Sequence, residues 1–322
     1  MMWTSRRRGE RGFAIFIVSA WLTMLLFVGM SVDWGILLRY RRAMENACDS
    51  GALAGALYLR EQPTSAGPAA VRYASNDLTQ NAIAANTPTA TPKNSNTRLQ
   101  VDISATVPTF FFRLVKPSVG VAVECTSTVE AVVQTKGIVP IVVDTGTFSG
   151  PCTFDTCSPV FLDPPKPSGQ GSCGTNSCFL DLTNASCSGG GAVYWGCVFA
   201  NGTDQTICTT SASCNQVSAV PGKGNKNGWL DKGIPPRCQT PAPPDPTSAW
   251  VVMVPLASVS SNSSPWTVTG FAAFELDCPN MPKHFTGNNA KIPGKFVYFT
   301  VMNAVGSLTA TDFGLETVRL IQ

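Results

Sequence analysis

The side chains best equipped for chemistry in this 322-residue chain are twelve cysteines, one histidine and a few carboxylates beside glycine. Nine cysteines crowd one stretch: Cys152, Cys157, Cys173, Cys178, Cys187, Cys197, Cys208, Cys214 and Cys238. The other three are Cys48, Cys125 and Cys278. No two are spaced C-x-x-C, and His284 is the lone histidine, so the paired ligands of a structural zinc are missing. Disulfide chemistry is the expectation for all twelve. Bridges persist in oxidising compartments, so this reading sets everything after the N-terminal segment outside the cytoplasm. Nine is odd, so full pairing requires at least one of the nine to reach Cys48, Cys125 or Cys278, while the connectivity stays open.

The carboxylates promise less. Asp144-Thr145-Gly146 follows an apolar strand and resembles an aspartic-protease loop, in which two carboxylates share a proton to activate water, yet only one copy is present. The same Asp-x-Gly-x order resembles the metal site of von Willebrand A domains, which needs hydroxyls where Gly146 and Phe148 stand. Asp312-Phe313-Gly314 lacks the glycine-rich and catalytic loops of a kinase. Asn225 to Gly228 has Lys223 where a calcium loop needs its first acid and Ile234 where it needs its bidentate glutamate, so it reads as a turn. His284 reads as surface, and Asn184, Asn201 and Asn262 begin glycosylation sequons, a short and weak signal. No catalytic, cofactor-binding or metal-binding residue is expected.

The element that positions everything else is an apolar run from Phe13 to Val32, twenty residues without a formal charge, ended by Asp33. At about 1.5 Å per residue it spans a hydrocarbon core of about 30 Å. Arg6, Arg7, Arg8 and Arg11 precede it against Glu10 alone, a bias that keeps the N-terminus in the cytoplasm. A cleaved secretory signal would need a nearer small-x-small site than Ala54-Gly55-Ala56, and a buried core helix would carry a polar stripe. A retained single-pass anchor is the favoured reading. Proline is absent from Phe13 to Gln62, so the helix is free to continue past the membrane surface. There Ala43, Ala47, Gly51 and Gly55 recur every fourth residue and line one face. A small-residue face admits close approach, either of a neighbouring helix or of the chain's own domain.

These residues resemble a known family, the TadE/TadG-like proteins of Flp (type IVb) pilus assembly. The family joins an arginine-rich start and one apolar helix to an acid, a basic stretch and a segment close to L-Q-N-A-A-D-A-A-A-L-A-G-A. Here stand Val32-Asp33-Trp34-Gly35, then Arg39 to Arg42, then Met44 to Ala56 with Asn46-Ala47-Cys48-Asp49 and Ala52-Leu53-Ala54-Gly55-Ala56. Val107-Pro108-Thr109-Phe110-Phe111-Phe112-Arg113 is similar to a V-P-T-F-F-x-R link of the family. Short segments around Val254-Pro255, Gly270 to Phe274 and Ile292 to Val297 resemble the C-terminal part of its longer members. Gly12-Phe13 suits prepilin cleavage, but Ile17 stands where a pilin has glutamate, so the chain looks like the TadG-type branch that retains its leader. The resemblance implies a non-catalytic, single-pass protein of the bacterial inner membrane without a cofactor. Its partners would be the lipid bilayer and other pilus-assembly or secretion proteins, with self-association through the N-terminal helix. A membrane-tethered adhesin or carbohydrate-binding module is the alternative.

Net charge is +3, and the first twelve residues account for all of it, which leaves no basic field for nucleic acid. The expected fold class is α+β: a long N-terminal helix, then a β-rich, disulfide-containing extracytoplasmic domain. The sequence divides into a basic leader (1–12), the helix and its extension (13–60), a polar linker (61–98), antiparallel strands (99–144), a Cys/Gly/Pro-rich insert (145–247) and C-terminal strands (248–322). Within the linker a short helix is expected over 71–85. Alternation predicts half-buried strands over Leu99–Val107 and Val119–Val133, the second putting Cys125 on its buried face and interrupted at Ser127. Gly137–Asp144 reads as a fully buried strand, and further strands are expected over 250–259, 266–276, 295–301 and 316–321. Pro235 to Pro246 reads as an extended linker. The three phenylalanines read as a core or helix-packing plug rather than a ligand platform.

Overall fold

The computed structural model describes residues 6–60, 62–148, 150–151, 159–163, 174–219, 227–238, 250–258, 265–282, 284–285, 291–301 and 304–321. The chain is α+β and divides into two units, one of 1–56 with 64–127 and 320–322, the other of 57–63 with 128–319.

The first unit begins with one unbroken helix, α1 (Arg6–Ala56), of 51 residues. No proline interrupts it, and within the apolar run Ser19, Thr23 and Ser31 turn their hydroxyls back onto the carbonyls of Phe16, Ser19 and Val28. That habit removes free donors from an apolar surface. A second helix, α2 (Pro63–Gln80), packs on the end of α1 through Ala66, Ala70 and Ala74. Three strands complete the unit: β1 (Thr89–Lys93), β2 (Arg98–Pro108) and β3 (Ser118–Thr135), in the order β1-β2-β3. Along β2 the side chains of Leu99, Val101, Ile103, Ala105 and Val107 are all buried, the alternation its sequence carries. Cys48 on α1 is bonded to Cys125 on β3 across 77 residues of chain. Ser127, the polar break in β3, is fully buried and donates its hydroxyl to the Ala52 carbonyl of α1 at 2.8 Å.

In the second unit the rest of β3 pairs with β7 (Ile207–Cys208), β13 (Val305–Ser307) and β14 (Leu315–Ile321), and β14 runs parallel to β12 (Phe299–Thr300). A second sheet has the order β5 (Val160–Leu162), β11 (Ile292–Val297), β10 (Trp266–Leu276), β9 (Val251–Ala257), β4 (Ile141–Asp144), β6 (Ser177–Phe179). A short strand, β8 (Gln216–Val217), pairs with the start of β10. One face of this sheet packs Phe274, Phe296 and Phe179 against α3 (Ala192–Asn201) and α4 (Asn227–Cys238), through Phe199, Trp229 and Leu230. The other face buries Val142, Leu180, Phe271 and Leu315. Burial on both sides explains why alternation in β10 fades after Gly270.

Several expectations need correcting. The linker holds a full helix from Pro63 rather than a short one over 71–85, since proline suits a first helical turn. It also holds β1, with Pro92 tolerated on an edge strand. Pro235 and Pro236 lie inside α4 instead of an extended linker; Arg237 donates to the Phe199 carbonyl there, and Cys238 is bonded to Cys278. The remainder of that proline-rich stretch, 239–246, lies outside the described residues. Phe110, Phe111 and Phe112 are exposed rather than core, although Phe111 does pack on the helix, against Gly29.

Replacing Cys48 and Cys125 by serine together opens the 77-residue loop. Loop-closure entropy makes the expected loss roughly 4 kcal/mol. Denaturant unfolding of the detergent-solubilised protein, with and without both substitutions, measures it.

Candidate functional site

The first unit concentrates its polar chemistry where the apolar run ends. Asp33 is 5% exposed, and its carboxylate accepts three consecutive backbone N–H groups: Phe110 at 2.8 Å, Phe111 at 3.1 Å and Phe112 at 2.7 Å. Those amides open a 3-10 turn at Phe112–Leu114, whose first N–H groups have no partner within the turn. An anion at such an amide cluster is favoured by charge as well as by hydrogen bonding. The loop is closed behind them: the Thr109 amide donates to Pro117 O, and those of Val115 and Lys116 both donate to Phe112 O. Phe111 lies against Gly29, where its ring carbons stand 2.5–2.6 Å from the place a Cβ would occupy. A glycine at 29 is therefore what lets the loop lie on the helix.

The small-residue face is occupied by the unit's own chain. Ala47, Gly51 and Gly55 are buried and Ala43 is half-buried. A Cβ added at Gly51 would stand 2.8 Å from the Ala70 carbonyl oxygen and 2.9 Å from the Ala74 methyl; one at Gly55 would meet Ala66, Ala70 and Leu99. Of the two uses a small-residue face admits, close packing on its own domain is the one seen for Gly51 and Gly55.

The remaining candidates separate. Cys187 is bonded to Cys197 and Cys208 to Cys214, while Cys238 with Cys278 supplies the bridge from insert to C-terminal strands that the odd count requires. Cys178 is also disulfide-bonded, and Cys152, Cys157 and Cys173 lie outside the described residues. Asp144 caps its own turn by accepting from the Gly146 amide at 3.1 Å, and His284 is exposed. Among the described residues no three His, Cys, Asp or Glu side chains gather as a metal site would require. In the insert Trp195 stacks on Trp229 at 4.9 Å, and both pack on the core, so this pair is not a free sugar platform.

One cluster has no sequence signal. Arg60 lies 3.1 Å from Asp312 and 3.1 Å from Glu316, the latter almost wholly buried on β14. One guanidinium faces two carboxylates, and neither Arg60 Nε nor Glu316 Oε1 makes a well-aligned hydrogen bond. Burial, reinforced by Asp312 and only partly opposed by Arg60, pushes Glu316 up to about 9. Glu316 thus holds a proton at neutral pH and can donate it towards Asp312. The same surroundings raise Tyr298, first through burial and then through the charge of Asp312.

The first unit is thus an exposed apolar helix, held at its end by a carboxylate–amide clamp and joined by a disulfide to the strands beside it. Residues 12–57 match the Tad family model, described as "Putative Flp pilus-assembly TadE/G-like", so the N-terminal segment is similar to that family. No curated protein and no solved structure matches the chain. The match ends before the phenylalanine loop that Asp33 holds.

Two outcomes follow from these geometries. Asp33→Ala strips three amides of their shared charged acceptor. Limited chymotrypsin digestion in detergent should then cut the loop at Phe110–Phe112 much faster than in the unsubstituted protein. Glu316 binds its proton more tightly folded, at about 9, than its ordinary 4.5. Its contribution is therefore complete below pH 4.5, declines as pH rises, and is lost above about pH 9. Glu316→Gln should flatten that decline, so that its melting temperature gains on the unsubstituted protein between pH 6 and about pH 9.

Proposed function

We propose that the chain is a membrane-anchored, non-catalytic structural component of a Flp pilus-assembly or secretion apparatus. The observation that carries this reading is the coincidence of the TadE/G-like match at 12–57 with the one helix, among the described residues, long and apolar enough to cross a membrane. Only 6% of the most apolar part of that helix is buried, unlike the core helix of a soluble domain. The arginines ahead of it support a cytoplasmic N-terminus. The disulfides support an oxidising compartment, periplasmic or extracellular, for the rest of the chain. With Gly51 and Gly55 covered by α2, other apparatus proteins or a second copy of the chain meet the anchor along its apolar surface. The Trp195–Trp229 pair lends no support to the carbohydrate-binding alternative, since it is spent on core packing.

Complementation tests this. In a strain lacking the chain, piliation should be lost and restored by the full-length protein. Gly51→Leu, which drives a side chain into Ala70 and Ala74, should remain in the membrane fraction yet fail to restore pili. Normal pili with loss only of surface attachment would favour the tethered adhesin.

A further inference from the structure

We propose that the loop Phe110–Val115 is a second membrane-contacting element, inserted into the leaflet beside Asp33; this rests on the reading that 13–32 spans the bilayer. Phe110 is 74% exposed, Phe111 49%, Phe112 42% and Val115 80%. Four large apolar side chains uncovered within six residues form a patch that water disfavours. Its occupant follows from position. Phe111 lies on Gly29, four residues inside the apolar run, which is about 6 Å along the helix axis at 1.5 Å per residue. The patch thus borders Leu25 and Leu26, one turn back on the same helix face, which are exposed and which no protein segment covers among the described residues.

The backbone fits the same setting. An amide left unpaired in hydrocarbon is costly, so pairing favours entry. Within the loop the N–H groups of Phe110, Phe111, Phe112 and Val115 are paired, three of them to the Asp33 carboxylate, as are those of Thr109 and Lys116 on either side. Pro108 and Pro117, which flank the loop, have no N–H to satisfy. Two cations, Arg113 and Lys116, are exposed on the same loop, within reach of anionic headgroups on flexible stems. Trp34, 64% exposed at the same level of the helix, is the residue type that favours the interface. Contact at the helix and at the loop would fix the rotation of the first unit about the helix axis, which one smooth helix cannot do.

The test uses the full chain in phosphatidylethanolamine/phosphatidylglycerol vesicles, with p-benzoylphenylalanine placed singly at 22, 110, 115 or 161. Positions 110 and 115 are exposed already, so the probe need not disturb packing. After irradiation, mass spectrometry should find phospholipid adducts at 110 and 115 as abundant as those at 22. Phe161, exposed on β5 and far along the chain, should yield none. Lipid adducts at 22 without adducts at 110 and 115 would overturn the loop proposal and leave the anchor intact. Protein adducts at 110 would overturn it in favour of a protein partner. If 22 itself forms no lipid adduct, the spanning helix falls and the loop proposal falls with it.

Discussion

A single carboxylate receiving three backbone amides is the constraint on which the N-terminal unit depends. Asp33 ends the apolar run, and a charge there must be solvated by something. The Phe110–Phe112 amides supply that solvation from the β2–β3 connection, so the helix and the sheet are tied at the one point where neither alone could satisfy its polar groups. Further along α1 the Cys48–Cys125 bridge and the Ser127 hydroxyl on the Ala52 carbonyl repeat the tie with covalent and neutral chemistry. The small residues of α1 add close packing to these ties, since Gly51 and Gly55 let α2, and at Gly55 also Leu99 of β2, lie directly against the helix.

The second unit works by a different economy of interactions. Its sheet is buried on both faces by aromatic clusters, and its loops are held by short-range disulfides, six and ten residues apart in sequence for Cys208–Cys214 and Cys187–Cys197. At Glu316 burial favours the protonated carboxyl, which Arg60 at 3.1 Å opposes only in part.

How much of this could be read from sequence varied with the physics involved. The alternation of Leu99 to Val107 and the apolar runs of β9 and β10 were legible because strand burial imprints directly on residue order. The helix at Pro63 was not: Pro63 is harmless in the first turn, but Pro68 lies inside α2, where a proline reads as a helix breaker. Ser127 looked like a flaw in its strand; its hydroxyl is instead matched to a carbonyl from another element, which no periodicity encodes. The three phenylalanines read as a core or helix-packing plug yet are exposed, since an apolar residue type does not by itself say whether anything covers it. Arg60, Asp312 and Glu316 meet only through the tertiary fold, and nothing local announces them. The Asp33 acid was visible; its partners across the unit were not.

The order of the chain also bears on how its sulfur chemistry sorts itself out. Only two cysteines precede Cys152, and they are the pair joined across α1 and β3. Nearly all of the first unit lies before residue 128, so it can close while the other ten thiols are still unsynthesised or unexposed. During vectorial emergence Cys48 meets one candidate instead of eleven, and the most distant bridge of the described set becomes the least ambiguous to form.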